Sequence, residues 1–337
     1  MLKHSNPQKC GNYETAIAAA TSKGHQDIVE YLVQQGADIN LQGGIYGTAI
    51  AAAAKGGHQD VVQYLVQHGA DINLQGGDIG TAIAAAAYRG HQSIVEYLVQ
   101  HGADINLQGS DFGTAIAAAA LGGYQNIVEY LVQHGADINL QGDIYGTAIA
   151  AAAYKGHQDI VEYLVQHGAN ISFQGRDLGT AIVAAAMRGG SLGTAIAAAA
   201  FGNHQDVIEF LLQQGADINL QGGIYGTAIA AAASGGHQDI VNYLVQHGAD
   251  INLQGGVFGT AIAAAAYKGH QDVLEYLVQH GADINLQGGH FGTVIAAAAS
   301  EGHQAIYLLQ HGAVLNLQGR SVDLVTSYTT HCILITY

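Results

Sequence analysis

Apolar residues fall into two alternating patterns along the chain, and residues 48–80 show both. Ala49-Ile50-Ala51-Ala52-Ala53-Ala54-Lys55 is a short run of strong helix formers. Thr48 precedes it as an N-cap whose hydroxyl can accept an unpaired N–H of the first turn. Gly56-Gly57 can take the left-handed conformation that ends a helix. His58-Gln59-Asp60 opens a second helix, with Asp60 near its positive N-terminal end. Val61, Val62, Leu65 and Val66 recur at helical spacing and form one apolar stripe. Gly69 stops that helix, and residues 70–80 read as an extended excursion rich in glycine and turn residues. The pattern predicts helix, tight turn, helix and a long hairpin-like loop. Helices of about seven and ten residues are marginal alone in water. One unit also cannot bury its own stripe, and stacking against identical neighbours solves both problems. The alanine helix suits a crowded inner row where only small side chains allow close approach.

The phrase recurs. Thr-Ala-Ile-Ala-Ala-Ala begins at Thr15, Thr48, Thr81, Thr114 and Thr147, each 33 residues after the last. Thr180 continues the series, but the next start, Thr194, follows after only 14 residues. The 33-residue step then resumes at Thr227, Thr260 and Thr293. The expected fold is an all-α repeat solenoid of about nine full units and one truncated unit. Its expected parts are an N-terminal array over 1–179, the truncated unit over 180–193, a C-terminal array over 194–319 and a non-repeat tail over 320–337. The truncated unit predicts a fault in the stack, either a deletion from repeat recombination or a hinge. The last unit is two residues short between His303 and Gly312, so its stripe slips. The apolar, β-prone tail either covers the last repeat or marks where the reading frame ended.

Composition changes the picture little. Of 337 residues 47 are glycine, about five in each unit, so glycine punctuates a fixed phrase and does not form linkers. A hydrophobic share of 49% argues against disorder. The longest apolar runs, about six residues, are far short of the roughly 20 needed to span a membrane. Cys10 and Cys332 form no disulfide framework, which makes a reducing, intracellular and cytoplasmic setting the expectation. Ten Lys and Arg against 26 Asp and Glu argue against a grip on nucleic-acid phosphates. A protein partner is expected, with no membrane and no nucleic acid.

The residues Gly57-His58, Val61-Val62, Leu65-Val66 and Gly69-Ala70-Asp71-Ile72-Asn73 resemble the ankyrin repeat, whose period is also 33. The resemblance covers roughly residues 10–319. One departure is systematic: the family's Thr-Pro-Leu-His is Thr-Ala-Ile-Ala here, as at Thr48 to Ala51. Ala49 replaces a proline that pre-sets the first helical position. Ala51 replaces a histidine that in the family helps hydrogen-bond the hairpins. The Gly-Gly-x-x-Gly-Thr hairpin is similar to ankyrin arrays attached to fungal nucleotide-binding signalling proteins. That likeness, with the abrupt start at Cys10 to Glu14, motivates the expectation that the array is the recognition part of a larger signalling protein, and leaves open whether an effector segment lies upstream.

Eighteen histidines invite a metal or catalytic reading, yet fifteen of them fall into two rows, eight in one and seven in the other, with at most one per unit in each. One row follows the turn glycine, as His58 does, and the other precedes the glycine that ends the second helix, as His68 does. Neither has the close spacing of a metal site. The carboxylates also repeat, whereas catalysis needs a singular constellation. The expectation is therefore no enzyme, no cofactor and no metal. The column Tyr31, Tyr64, Tyr97, Tyr130, Tyr163, Tyr243 and Tyr276 reads as packing along the outer helices.

Two places vary between near-identical units. Before Gly-Thr stand Ile45-Tyr46, Asp78-Ile79, Asp111-Phe112, Ile144-Tyr145, Ile224-Tyr225 and Val257-Phe258, with Asp177-Leu178 and His290-Phe291 in the same slot. At the end of the first helix stand Lys55, Tyr88-Arg89, Leu121, Tyr154-Lys155, Ser234 and Tyr267-Lys268. The resemblance implies that these positions face a concave groove that holds partners. Tyrosine and arginine are enriched at binding hot spots. The expected function is a non-catalytic interaction scaffold. The alternative is a structural or decaying array without a ligand.

Overall fold

The computed structural model describes residues 15–45, 47–78, 80–109, 113–142, 146–172, 194–303 and 306–314. Eighteen helices lie in them as nine consecutive pairs. In chain order they are α1 (Ala16–Ser22), α2 (Gln26–Gln34), α3 (Ala49–Gly56), α4 (Gln59–Gln67), α5 (Ala82–Tyr88), α6 (Gln92–Gln100), α7 (Ala115–Gly122), α8 (Gln125–Gln133), α9 (Ala148–Lys155), α10 (Gln158–Gln166), α11 (Ala195–Phe201), α12 (Gln205–Gln213), α13 (Ala228–Gly235), α14 (Gln238–Gln246), α15 (Ala261–Lys268), α16 (Gln271–Gln279), α17 (Val294–Ser300) and α18 (Ile306–Gln310). Among the described residues the only β pairing is isolated bridges. The chain divides into two compact units, Met1–Ala148 with Gln166–Gly168, and Ile149–Val165 with Ala169–Tyr337.

Local chemistry starts and stops the helices as the phrase predicts. The Thr48 hydroxyl accepts from the Ala51 N–H at 3.2 Å, and Thr227 does the same for Ala230. Gly57 and Gly236 close their first helices at φ 77° and 75°. The second helices α4, α6, α8, α10, α12, α14 and α16 bury Val61, Val62 and Leu65 or their equivalents, while Val66 is only half-buried and Ile28 of α2 is exposed.

Within the N-terminal unit α1, α3, α5 and α7 stack side by side, and α2, α4, α6 and α8 form a looser outer row. The C-terminal unit repeats this with α11, α13, α15 and α17. The alanines of α3, α5, α13 and α15 are almost wholly buried. Three polar ladders tie neighbouring repeats within each unit. The imidazole Nε2 of His58 faces the Ser22 carbonyl at 3.2 Å, and His270 faces that of Ser234 at 3.1 Å. The Asn40 amide donates to the Gly69 carbonyl at 3.1 Å and accepts from the Asp71 N–H at 2.8 Å. Its equivalents Asn73 and Asn252 do likewise. The hairpins close by backbone bonds such as Gly43 N–H to the Gly47 carbonyl, and join their neighbours by Val257 N–H to the Ile224 carbonyl at 2.8 Å. Backbone pairing thus binds hairpins that lack the family's histidine at Ala51.

Residues 173–193 hold the truncated repeat and lie outside the described residues, as do the start before Thr15 and the tail. Their flanks are described. His204 Nε2 meets the Tyr154 carbonyl at 3.0 Å, across 50 residues where equivalent pairs are separated by 36. The 14-residue excess equals the irregular step between Thr180 and Thr194. The α11–α12 pair therefore sits on the α9–α10 pair through the ordinary repeat contact. Deleting residues 180–193 restores an unbroken 33-residue step. The shortened chain is expected to keep its helical circular dichroism and to unfold within about 1 kcal/mol of the parent, because the closure entropy of an intervening segment changes slowly with its length. A loss of cooperative unfolding would show that the segment supports the stack.

Candidate groove of the repeats

The variable positions sit where first helices end and hairpins turn. All five Lys and Arg among the described residues, Lys23, Lys55, Arg89, Lys155 and Lys268, close a first helix. The negative helix C-terminus favours a cation there. Three stand over the tyrosine before them: Arg89 over Tyr88 at 5.6 Å, Lys155 over Tyr154 at 4.9 Å and Lys268 over Tyr267 at 5.3 Å. A cation on a ring face is held by the ring's quadrupole, worth about 0.5–1 kcal/mol at exposed sites.

In the N-terminal unit Lys55 and Arg89 share an open cleft of about 430 Å³ with Ser22, His91 and Tyr124. Burial, and then the Arg89 charge, push the Lys55 ammonium below its ordinary value, while Asp78 pushes the other way. Asp78 and Ile45 are exposed on the hairpins, the latter by 47%. Leu121 is 4% exposed and sits within the first-helix row. Tyr46, Ile79, Asp111, Phe112, Ile144 and Tyr145 lie outside the described residues, as do Asp177 and Leu178.

The C-terminal unit sets a ladder of rings beside its two cations, Lys155 and Lys268. Tyr154 stacks near Phe201 at 5.9 Å, Phe201 on Tyr225 at 4.6 Å, Tyr225 near Phe258 at 6.3 Å, and Tyr267 against Phe291 at 4.8 Å. Ile224, Tyr225 and Phe258 are buried, and so is Ser234. Val257 is half-buried. Serine is the small member of its column, between Phe201 and Tyr267, and its hydroxyl is buried with no hydrogen-bond partner. Burial pushes the Tyr225 phenol far above its ordinary value. Burial and a hydrogen bond to Glu301 push Tyr267 up to about 12. Tyr154, Lys155, Val257, Tyr267 and Lys268 are thus more accessible than the buried positions.

The ladder members Phe201 and Phe291 stand in the two slots that vary between units, Phe201 at the end of its first helix and Phe291 before Gly-Thr. The signal was present, since aromatic residues fill both variable slots in successive units here. The tyrosine column also has a second half that sequence reading left separate. Tyr64 stacks on His68 at 4.0 Å, and the His68 Nδ1 meets the Tyr64 carbonyl at 2.8 Å. Tyr97–His101, Tyr130–His134, Tyr243–His247 and Tyr276–His280 repeat the pair. The spacing of four residues on one helix face makes this contact. Both histidine rows therefore have structural partners. Among the described residues no group of three or more His, Cys, Asp or Glu is placed to hold a metal ion. No described helix is long and apolar enough to cross a membrane.

A comparison with curated proteins found no match. A family model described as ankyrin repeats (3 copies) matches residues 1–76, 74–142, 142–222, 175–255 and 195–288, which together span most of the chain. With the helix pairs, bridged hairpins and inter-repeat ladders in place, that match shows that the chain belongs to the ankyrin repeat family.

Proposed function

We propose that the chain is a non-catalytic scaffold that binds a partner protein through the concave groove of its repeats. Ankyrin repeats are in general protein-interaction modules. One observation carries the finer reading: against a nearly invariant background, three of the varied first-helix ends carry a tyrosine–cation pair. In the family those positions line the groove. Tyrosine and arginine give large contact area with a polar handle, the composition of binding hot spots. The Gly-Gly-x-x-Gly-Thr hairpin supports a narrower reading, that the array serves recognition within a larger signalling protein. A second reading, an array that is only structural, is favoured by the self-satisfied ring ladder of the C-terminal unit, where Tyr225 and Phe258 are spent on packing.

The test is affinity capture from source-cell lysate with three proteins. One is the parent, one changes Tyr88, Tyr154 and Tyr267 together to alanine, and one changes the exposed second-helix residues Gln67, Gln166 and Gln279 to alanine. Circular dichroism confirms that all three are folded. A partner held by the parent and the glutamine variant but lost by the tyrosine variant is the expected result. Equal capture by all three, or no enriched protein, favours the structural array.

A further inference from the structure

Of the five described cations, two, Lys155 and Lys268, lie apart in the C-terminal unit. The other three, Lys23, Lys55 and Arg89, close the successive first helices α1, α3 and α5, in a chain of formal charge -16. Lys55 and Arg89 open into one cleft with the Tyr124 ring. Asp78 on the adjoining hairpin is a carboxylate of the chain's own that acts on Lys55. The acids of the second helices, such as Asp27, Asp60 and Glu96, lie on the outer row. Positive charge in this unit therefore gathers at the ends of three successive first helices, and clustered charges of one sign attract an acidic ligand of matching spacing.

We propose that the groove of the N-terminal unit binds an extended acidic segment of a partner protein, with carboxylates at every third residue meeting Lys23, Lys55 and Arg89. The register follows from geometry. Packed helices lie about 8–10 Å apart, and an extended chain advances about 3.3 Å per residue, so about three residues pass each repeat. Asp78 holds part of the Lys55 charge until the ligand arrives. This inference rests on the groove reading and names the partner's chemistry.

The full chain is titrated by fluorescence anisotropy with a fluorescein-labelled peptide, Gly-Ser-Glu-Ser-Ser-Glu-Ser-Ser-Glu-Ser-Gly. Binding is expected to weaken at least tenfold in the Lys55→Met/Arg89→Met double variant, and to tighten in Asp78→Asn. It is also expected to fall with salt and to vanish when lysine replaces glutamate in the peptide. A double variant that lowers the unfolding temperature yet binds the peptide as the parent does would show that the cations serve only the helix dipoles, and overturns the proposal. So does absence of binding, or tighter binding of a single-stranded oligonucleotide than of the peptide. A concentration-dependent dimer abolished by the same double variant assigns the groove to a second copy and also overturns it. A partner captured through Tyr154 and Tyr267, but indifferent to Lys55→Met/Arg89→Met, leaves the groove reading standing and removes this one.

Discussion

Replacing Gly226 by alanine is expected to destabilise the C-terminal unit by about 3 kcal/mol, well beyond what the same change costs at Gly215. Both glycines are left-handed, with φ of 78° and 87°. An L-residue pays roughly 1–2 kcal/mol for that conformation. At Gly215 a new methyl group meets nothing within 4 Å, so strain is the whole cost. At Gly226 it lands on the backbone carbonyl of Gly255 in the next hairpin. Backbone cannot swing aside as a side chain can. The hairpins must part, which breaks the Val257 N–H to Ile224 carbonyl bond. A lost backbone hydrogen bond costs about 1 kcal/mol, more if its groups stay buried. Urea unfolding of both variants measures the difference, and amide exchange at Val257 locates it. Equal losses at the two sites would mean that the hairpin ladder contributes nothing.

Ala231→Leu is expected to destabilise by about 3 kcal/mol although it adds apolar surface. On an exposed helix the two residues differ little in propensity. Ala231 is wholly buried in the middle of α13, between α11 and α15. Overpacking a filled core typically costs about 1–3 kcal/mol, and here two helix contacts must open together. Replacing the half-buried Val245 of α14 by leucine is the control, expected to cost under about 0.5 kcal/mol. A neutral Ala231→Leu would show that the alanine row is not the tight seam it forms here.

The repeat itself was legible because every signal for it is local and recurs. Thr48 caps, Gly57 turns and Val61, Val62 and Leu65 face inward, for reasons contained within a dozen residues. The neighbour that completes each unit is the same phrase again, so one reading served the described pairs. The histidine rows were read as structural from their spacing; the partners of the first lie about one repeat away, and those of the second four residues back on the same helix. The groove was less legible. Ser234 and Leu121 occupy the same slot as Tyr267 but are buried, because what a slot exposes depends on the size of side chains in the repeats on either side. Tyr225 and Phe258 look like hot-spot residues in the sequence and instead join a ladder of rings.

The sequence by itself determined the period, the helix pairs, the caps and the acidic outer row, since propensity, capping and turn chemistry act within one unit. Tertiary structure alone decided which aromatic residues were buried, and that His204 meets Tyr154 across a 50-residue separation in place of 36. Those outcomes depend on which surfaces come into contact, and close packing joins shapes without regard to how much chain lies between them.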